Sequence, residues 1–229
     1  MMMTVPQSCK TILFDLDGTL LEVHERFFLA FNRTLGSLGN QTLGWDQFLA
    51  DFRSDALTRF MPEGDDPRRH FLRRFLRYFN EAGNEIAIQG IPGVHEALEI
   101  LRSRGYSMGV VTGRRTQPES VQKELDQTGF LRFFDHVFSH ADGYADNGAE
   151  AMEILSKKTI LLHAADQMGV PVESCMFVGD WTGDVQSARQ AGVGFIVAVL
   201  SGGLDEHVLK KEDPHLILPS VADLPAHLP

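Results

Sequence analysis

Two pairs of aspartates carry the densest chemistry in the chain. Asp15 and Asp17 lie in Asp15-Leu16-Asp17-Gly18-Thr19, directly after the apolar run Thr11-Ile12-Leu13-Phe14. Side chains two apart on an extended chain point the same way, so Asp15 and Asp17 converge on one site while Leu16 turns toward the core. Gly18 allows a sharp turn where a β-carbon would be strained. Asp180 and Asp184 lie in Gly179-Asp180-Trp181-Thr182-Gly183-Asp184, after a second apolar run. Their spacing of four places them one turn apart if a helix starts there. Two carboxylates about 4 Å apart repel by roughly 4 kcal/mol at an effective dielectric of about 20. Three or four in one crevice must therefore take up protons or hold a cation. An all-oxygen donor set favours a hard ion, Mg²⁺ or Ca²⁺, and Mg²⁺ suits a few carboxylates completed by water and a phosphate.

Two further segments suit an anion. Thr112-Gly113-Arg114 offers a hydroxyl, a glycine amide and the start of a helical region, all fit for phosphate oxygens. Lys157-Lys158 stands before another helical pattern, where an ammonium could neutralise a carboxylate nucleophile and a phosphoryl group. Each feature has a duller reading taken singly. An aspartate after a strand is often a helix cap, Thr-Gly is common in turns, and a lysine pair is usually a solvated face. Their weight comes from their order at the ends of separate strands.

The elements that must position them are legible as short apolar runs. Besides 11–14, these are Ser107-Met108-Gly109-Val110-Val111, His136-Val137-Phe138, Met176-Phe177-Val178-Gly179, Phe195-Ile196-Val197-Ala198-Val199 and Leu216-Ile217-Leu218. Short runs without clean alternation read as strands buried on both faces, which implies a parallel sheet. Helical spacing lies between them. Val94, Leu98 and Leu101 define one helix stopping near Arg104-Gly105. Ile154, Leu155, Leu161, Leu162, Ala165 and Met168 suggest another closed by Gly169. The fold class expected is α/β, a doubly wound, Rossmann-like parallel sheet. Ligands of such sheets sit at the carboxyl ends of the strands, where both aspartate pairs fall.

One segment breaks the rhythm. From about Val23 to Gln89 the spacing is helical, with breaks at Gly39-Asn40 and Met61-Pro62-Glu63-Gly64. Phe27, Phe28, Phe31 and Leu35 make one apolar stripe; Phe71, Leu72, Phe75, Leu76 and Phe79 make another. This is more chain than a crossover needs, and it reads as a helical insertion. Arg69, Arg73 and Arg77 share a face of its last helix. They form either a funnel for an anionic substrate or, the favoured reading, a solvated face opposite the phenylalanines.

These motifs resemble those of the haloacid dehalogenase-like hydrolases over essentially the whole chain. Asp15 to Thr19 resembles the first motif, Thr112 the second, Lys157 the third, and Gly179-Asp180 through Asp184 the fourth. The pattern is most similar to the phosphoglycolate phosphatase and β-phosphoglucomutase branch. The resemblance implies that Asp15 is the nucleophile and forms an aspartyl-phosphate, with Asp17 as general acid and base. It implies that Thr112 and Lys157 hold the phosphoryl oxygens, beside Gly113 and Arg114, which the reading of the residues also places toward substrate. Mg²⁺ would be bound by Asp15, the backbone carbonyl of Asp17 and Asp180, with Asp184 supporting the metal shell or the lysine. It also implies that residues 21–89 form an α-helical cap over a core of residues 1–20 and 90–229.

The chain departs from the pattern in places. The region 139–158 is long, with an acidic, glycine-bearing stretch at 141–150, and no proline follows the lysine pair. Distance from Met168-Gly169-Val170 favours Lys157 as the third motif, with Lys158 the alternative. Trp181 stands where small polar residues are common and would narrow the mouth of the site. The function implied is hydrolysis of a small-molecule phosphomonoester. The rivals are a phosphosugar mutase using the same core residues, a haloacid dehalogenase and an idle binding protein. A dehalogenase has no call for Asp17, Asp180 and Asp184.

Bulk properties agree. The 229 residues, 43% hydrophobic and 23% charged, suffice for a large domain or a core with an accessory unit. A formal net charge of −10 argues against nucleic acid and anionic membranes as partners, while allowing a small anionic phosphorylated metabolite. Cys9 and Cys175 stand in no metal or redox spacing, and Cys175 reads as a buried, reduced thiol. Residues 1–10 lack a signal-peptide core, and no run of about 18 apolar residues appears. A cytoplasmic enzyme is expected. The sequence is silent on oligomeric state.

Overall fold

The computed structural model describes residues 9–83, 85–140 and 155–229. The stretch 141–150 and Ile154, both singled out above, lie outside the described residues, as do residues 1–8.

The six apolar runs become six strands: β1 (Thr11–Phe14), β2 (Ser107–Thr112), β3 (His136–Ser139), β4 (Cys175–Gly179), β5 (Phe195–Val199) and β6 (Leu216–Leu218). They form one sheet in the order β3-β2-β1-β4-β5-β6 with every pairing parallel. The expected doubly wound α/β fold is therefore the one observed. The winding reverses at β1, with β2 on one side and β4 on the other. Phe14 sits in register with both Val110 and Val178. Asp15, Thr112 and Asp180 consequently leave three neighbouring strands at nearly the same level. A crevice at such a switch point is the usual ligand position of an open parallel sheet.

The alternation of side chains across the sheet fills two cores. Ile12, Phe14, Met108, Val110, Met176 and Val178 pack on one face with α4 (Val94–Ser103) and α5 (Pro118–Gln127). Leu16 joins this cluster, as its position between two site-facing aspartates requires. Leu13, Val111, Phe177 and Ile196 pack on the other face with α6 (Lys158–Gln167) and α7 (Thr182–Ala191). A short last helix, α8 (Glu206–Lys210), precedes β6. Fully burying one such side chain stabilises by about 1.5–3 kcal/mol. The sheet is thereby a stiff platform for the residues at its carboxyl edge.

Among the described residues no strand lies between β1 and β2. The chain forms α1 (His24–Ser37), α2 (Trp45–Arg53), a 3-10 turn at Leu57–Phe60 and α3 (Asp65–Ala82), then α4. Their apolar stripes meet in a separate aromatic cluster. The Phe27 and Phe75 rings are 4.7 Å apart between centroids, and Phe31 and Phe71 5.7 Å. Exit and return are tied together: Glu22 N–H donates to the Gln89 carbonyl, and Ile91 N–H to that of Leu20. The breaks at 39–40 and 61–64 separate helical elements as expected. The break at Ser54-Asp55 was not legible, and Asp55 takes a left-handed φ of 57°. Cys9 and Cys175 are buried and free, and burial pushes the Cys175 thiol up to about 11. Among the described residues no helix is long and apolar enough to cross a membrane.

Candidate active site

Asp15 is one residue past the end of β1, its N–H donating to the Val178 carbonyl at 2.8 Å. Its carboxylate is 4% exposed at residue level and accepts a hydrogen bond from Lys157 Nζ at 2.5 Å. The same ammonium donates to Asp184 Oδ1 at 2.6 Å. Lys157 immediately precedes α6 and is buried, whereas Lys158, the first residue of that helix, is exposed. The geometry thus places Lys157 in the crevice and Lys158 outside it.

Asp184 uses both of its oxygens. Oδ2 accepts from the backbone N–H groups of Asp180 and Trp181 at 3.2 and 3.3 Å, which satisfies donors at the start of α7 and fixes the turn after β4. Asp180 accepts from the Thr19 hydroxyl at 2.9 Å. Gly18 turns with φ +81°, and a β-carbon there would run into the Asp180 carboxylate and the backbone of Gly202. Glycine is needed here for both conformation and room.

Asp15, Asp180 and Asp184 each offer an oxygen within 4.8 Å of the others. One ammonium does not balance three buried carboxylates. Burial, partly offset by Lys157 and reinforced by the charges of Asp184 and Asp17, raises the Asp15 carboxyl to about 7. Burial and then the charges of Asp15 and Asp184 push Asp180 well above the usual carboxylate range. Burial disfavours the Lys157 ammonium, but Asp15 and Asp184 outweigh it and hold the proton on. A hard divalent cation is the species that would relieve this arrangement, and the donor set fits one.

Asp17 is not part of that carboxylate group, and the role implied for it toward a metal is that of its backbone carbonyl. Its carboxylate is gripped by Arg114, with Nε to Oδ2 at 2.6 Å and Nη2 to Oδ1 at 2.5 Å. Burial pushes Asp17 up, but the guanidinium's charge and two hydrogen bonds win, and the net direction is down. Arg114 also donates to Glu124 of α5 at 2.5 Å, and Glu124 accepts from Arg26 of α1 at 3.1 Å. Arg26 donates from Nε to the Phe79 carbonyl, and its guanidinium lies over the Phe79 ring. Sequence reading placed Arg114 toward substrate; in the structure it lines the cavity and is paired with Asp17 and Glu124. It missed Arg26, Glu124, Asp55 and the role of Thr19. Only Thr19 had a local signal, as the last residue of the first motif.

Thr112 is buried at the end of β2, its hydroxyl accepting from Arg114 N–H at 3.2 Å. Thr112, Gly113, Arg114, Lys157 and the four aspartates all line one cavity of about 180 Å³. Phenylalanines of α1, α2 and α3 line much of the rest, with aliphatic side chains, Asp55 and Thr58, and Trp181 stands at its wall. Arg69, Arg73 and Arg77 do not line it. Arg69 pairs with Asp65 at 2.7 Å, and Arg77 with Glu81 at 3.8 Å, both one turn away on α3. Arg69 is half-buried, whereas Arg73 and Arg77 are exposed.

A group of buried carboxylates thus stands at a switch point, beside a lysine and a Thr-Gly turn. Residues 12–198 match the haloacid dehalogenase-like hydrolases, and the chain belongs to that family. Among its relatives, the pyrophosphatase PpaX of Oceanobacillus iheyensis is 26% identical over 218 residues, covering 95% of each chain. The phosphoglycolate phosphatase of Aquifex aeolicus is 25% identical, covering 83% of this chain and 84% of that one. A haloacid dehalogenase-like family protein of Streptococcus pneumoniae shares the fold with a TM-score of 0.74 at 20% identity, covering 97% and 99%. The chain stands among family members named as phosphatases.

Proposed function

We propose that this chain is a Mg²⁺-dependent phosphatase of small-molecule phosphomonoesters that works through an aspartyl-phosphate on Asp15. The observation that carries this reading is Asp15 itself. It sits at the carboxyl end of β1, charge-paired with Lys157, with Asp180 and Asp184 grouped around it and Asp17 two residues on.

In the first half-reaction an Asp15 oxygen attacks phosphorus, and the bond to the ester oxygen breaks. Lys157 neutralises the attacking carboxylate and the phosphoryl oxygens, and Thr112 and Gly113 provide a hydroxyl and an amide for those oxygens. A bound Mg²⁺, held by Asp15, Asp180 and the Asp17 carbonyl with Asp184 in support, would neutralise phosphoryl charge and align the group. Asp184 keeps Lys157 aimed at Asp15. Asp17 protonates the departing oxygen and then takes a proton from the water that attacks the aspartyl-phosphate. Arg114 keeps Asp17 ionised in the observed arrangement, the form suited to the second step. The acid role requires Asp17 to exchange the guanidinium for the substrate.

Residues 21–89 serve as the cap in this reading. Their helices supply the wall of the cavity that faces the carboxylates, and their two ends leave the core side by side. The two free, buried thiols suit the cytoplasm as the place of action. The test is phosphate release from a panel of phosphomonoesters with Mg²⁺, with Asp15→Asn as the blank. A phosphoryl group trapped on the peptide containing Asp15 supports the mechanism. Release unaffected by Asp15→Asn, or phosphoryl returned to a sugar phosphate rather than to water, would overturn it.

A further inference from the structure

The cavity has two chemically different halves. One holds Asp15, Asp180, Asp184 and Lys157. The other is walled by side chains including Phe27, Phe52, Met61, Leu72, Phe75 and Trp181. Among the described residues, only Arg114 and Lys157 bring positive charge to the lining, and both stand at the catalytic end, paired with carboxylates. Lys157 serves Asp15 and Asp184, and Arg114 serves Asp17 and Glu124. The further polar groups on the wall are Asp55 and Thr58. Asp55 is held at a left-handed φ of 57° and accepts a long hydrogen bond from the Thr182 hydroxyl at 3.4 Å.

Resting on the phosphatase reading, we infer that the substrate is a phosphomonoester whose organic part is small, uncharged and apolar. A carboxylate or second phosphate held against this wall would meet phenylalanines and Asp55, with no cation on the wall among the described residues and with Arg114 still paired with Glu124. An apolar group meets the opposite conditions. The cavity of about 180 Å³ must hold the phosphoryl group as well as the organic part, so the organic part is small. The small polyanions in the names of the relatives therefore differ in class from the ligand this wall suits. Asp55 acts here as a specificity residue, excluding anionic tails.

The experiment is a kcat/KM series on the full chain with Mg²⁺: methyl, ethyl, butyl, hexyl and phenyl phosphate, against phosphoglycolate and pyrophosphate. Ethyl phosphate and phosphoglycolate are nearly the same size and differ by the carboxylate. The expected result is a rise of about fourfold per methylene over the shorter esters, with phosphoglycolate at least roughly tenfold below ethyl phosphate. Asp55→Asn tolerates the same backbone conformation and narrows that gap; an unchanged gap overturns the role of Asp55. Phe52→Arg, at a half-buried wall position, shifts preference toward phosphoglycolate. A flat alkyl series, or phosphoglycolate or pyrophosphate preferred over every alkyl ester and phenyl phosphate, overturns the substrate class. If no ester is hydrolysed, the phosphatase reading falls by itself. The ligand class is then decided by thermal shift with hexylphosphonate against phosphonoacetate. A shift with the first alone supports it, and a shift with the second alone or with neither overturns it.

Discussion

Lys157 bridges Asp15 and Asp184, its Nζ lying 2.5 Å from one carboxylate and 2.6 Å from the other. One acid directly follows β1 and the other stands in the first turn of α7, and this single ammonium holds them at one point. Removing it leaves two buried carboxylates facing each other and strips the nucleophile of its partner. Lys157→Ala should lower kcat by about 10²–10³, the scale for losing one preorganised charge-stabilising donor. Lys158→Ala, at an exposed position, should stay within about twofold of the unaltered protein. Steady-state kinetics on the two variants side by side checks both statements.

The carboxylate group predicts a pH-dependent stability. Asp15 is raised to about 7, and Asp180 is raised well above its ordinary value, both first by burial. In the unfolded chain each ionises near pH 4, roughly. A raised carboxyl contributes stability that is present below the unfolded value and lost as pH climbs through the folded one. Without added metal, the melting temperature should therefore fall between about pH 4 and about pH 7 from these groups. Mg²⁺ at about one hundred times its Kd should restore about 2.7 kcal/mol at neutral pH. Asp180→Asn should flatten the pH dependence and abolish most of the Mg²⁺ response. Thermal melts over a pH series, with and without Mg²⁺, decide it.

Arg114 ties Asp17 to Glu124, and through Glu124 to Arg26 of α1. Breaking such a buried pair leaves uncompensated charge, so Arg114→Ala should cost about 3–5 kcal/mol in denaturant unfolding. Arg114→Lys keeps the charge and loses the planar two-point grip. It should retain most of the stability yet lower kcat/KM by roughly tenfold, the scale of one hydrogen bond to a charged group.

Gly18 supplies both a left-handed turn and space for Asp180. A β-carbon in that backbone region costs about 1–2 kcal/mol by itself. In Gly18→Ala the larger effect should fall on Asp180, which must move. The Mg²⁺ concentration needed for half-maximal activity should rise by more than the stability loss accounts for. A Mg²⁺ titration of activity, set beside urea unfolding of the same variant, separates the two effects.

The strands, the sheet class and the grouping of Asp15, Thr112 and Asp180 were determined by local sequence. Short apolar runs buried on both faces specify a parallel sheet, and residues just past their ends must cluster at its carboxyl edge. The tertiary structure alone decided which charges meet. Lys157 and Asp15 are 142 positions apart, and Arg114 and Asp17 are 97 apart. No periodicity reaches over such distances, so the choice between Lys157 and Lys158 came from which side chain is buried at the start of α6. The same holds for Arg114, read from its motif as a phosphate ligand and found gripping an aspartate. The phenylalanine stripes of α1 and α3 were visible as faces of helices. Only packing showed that part of those faces stays uncovered as the apolar wall of the cavity, because a periodic stripe records that a face is buried and not what it is buried against.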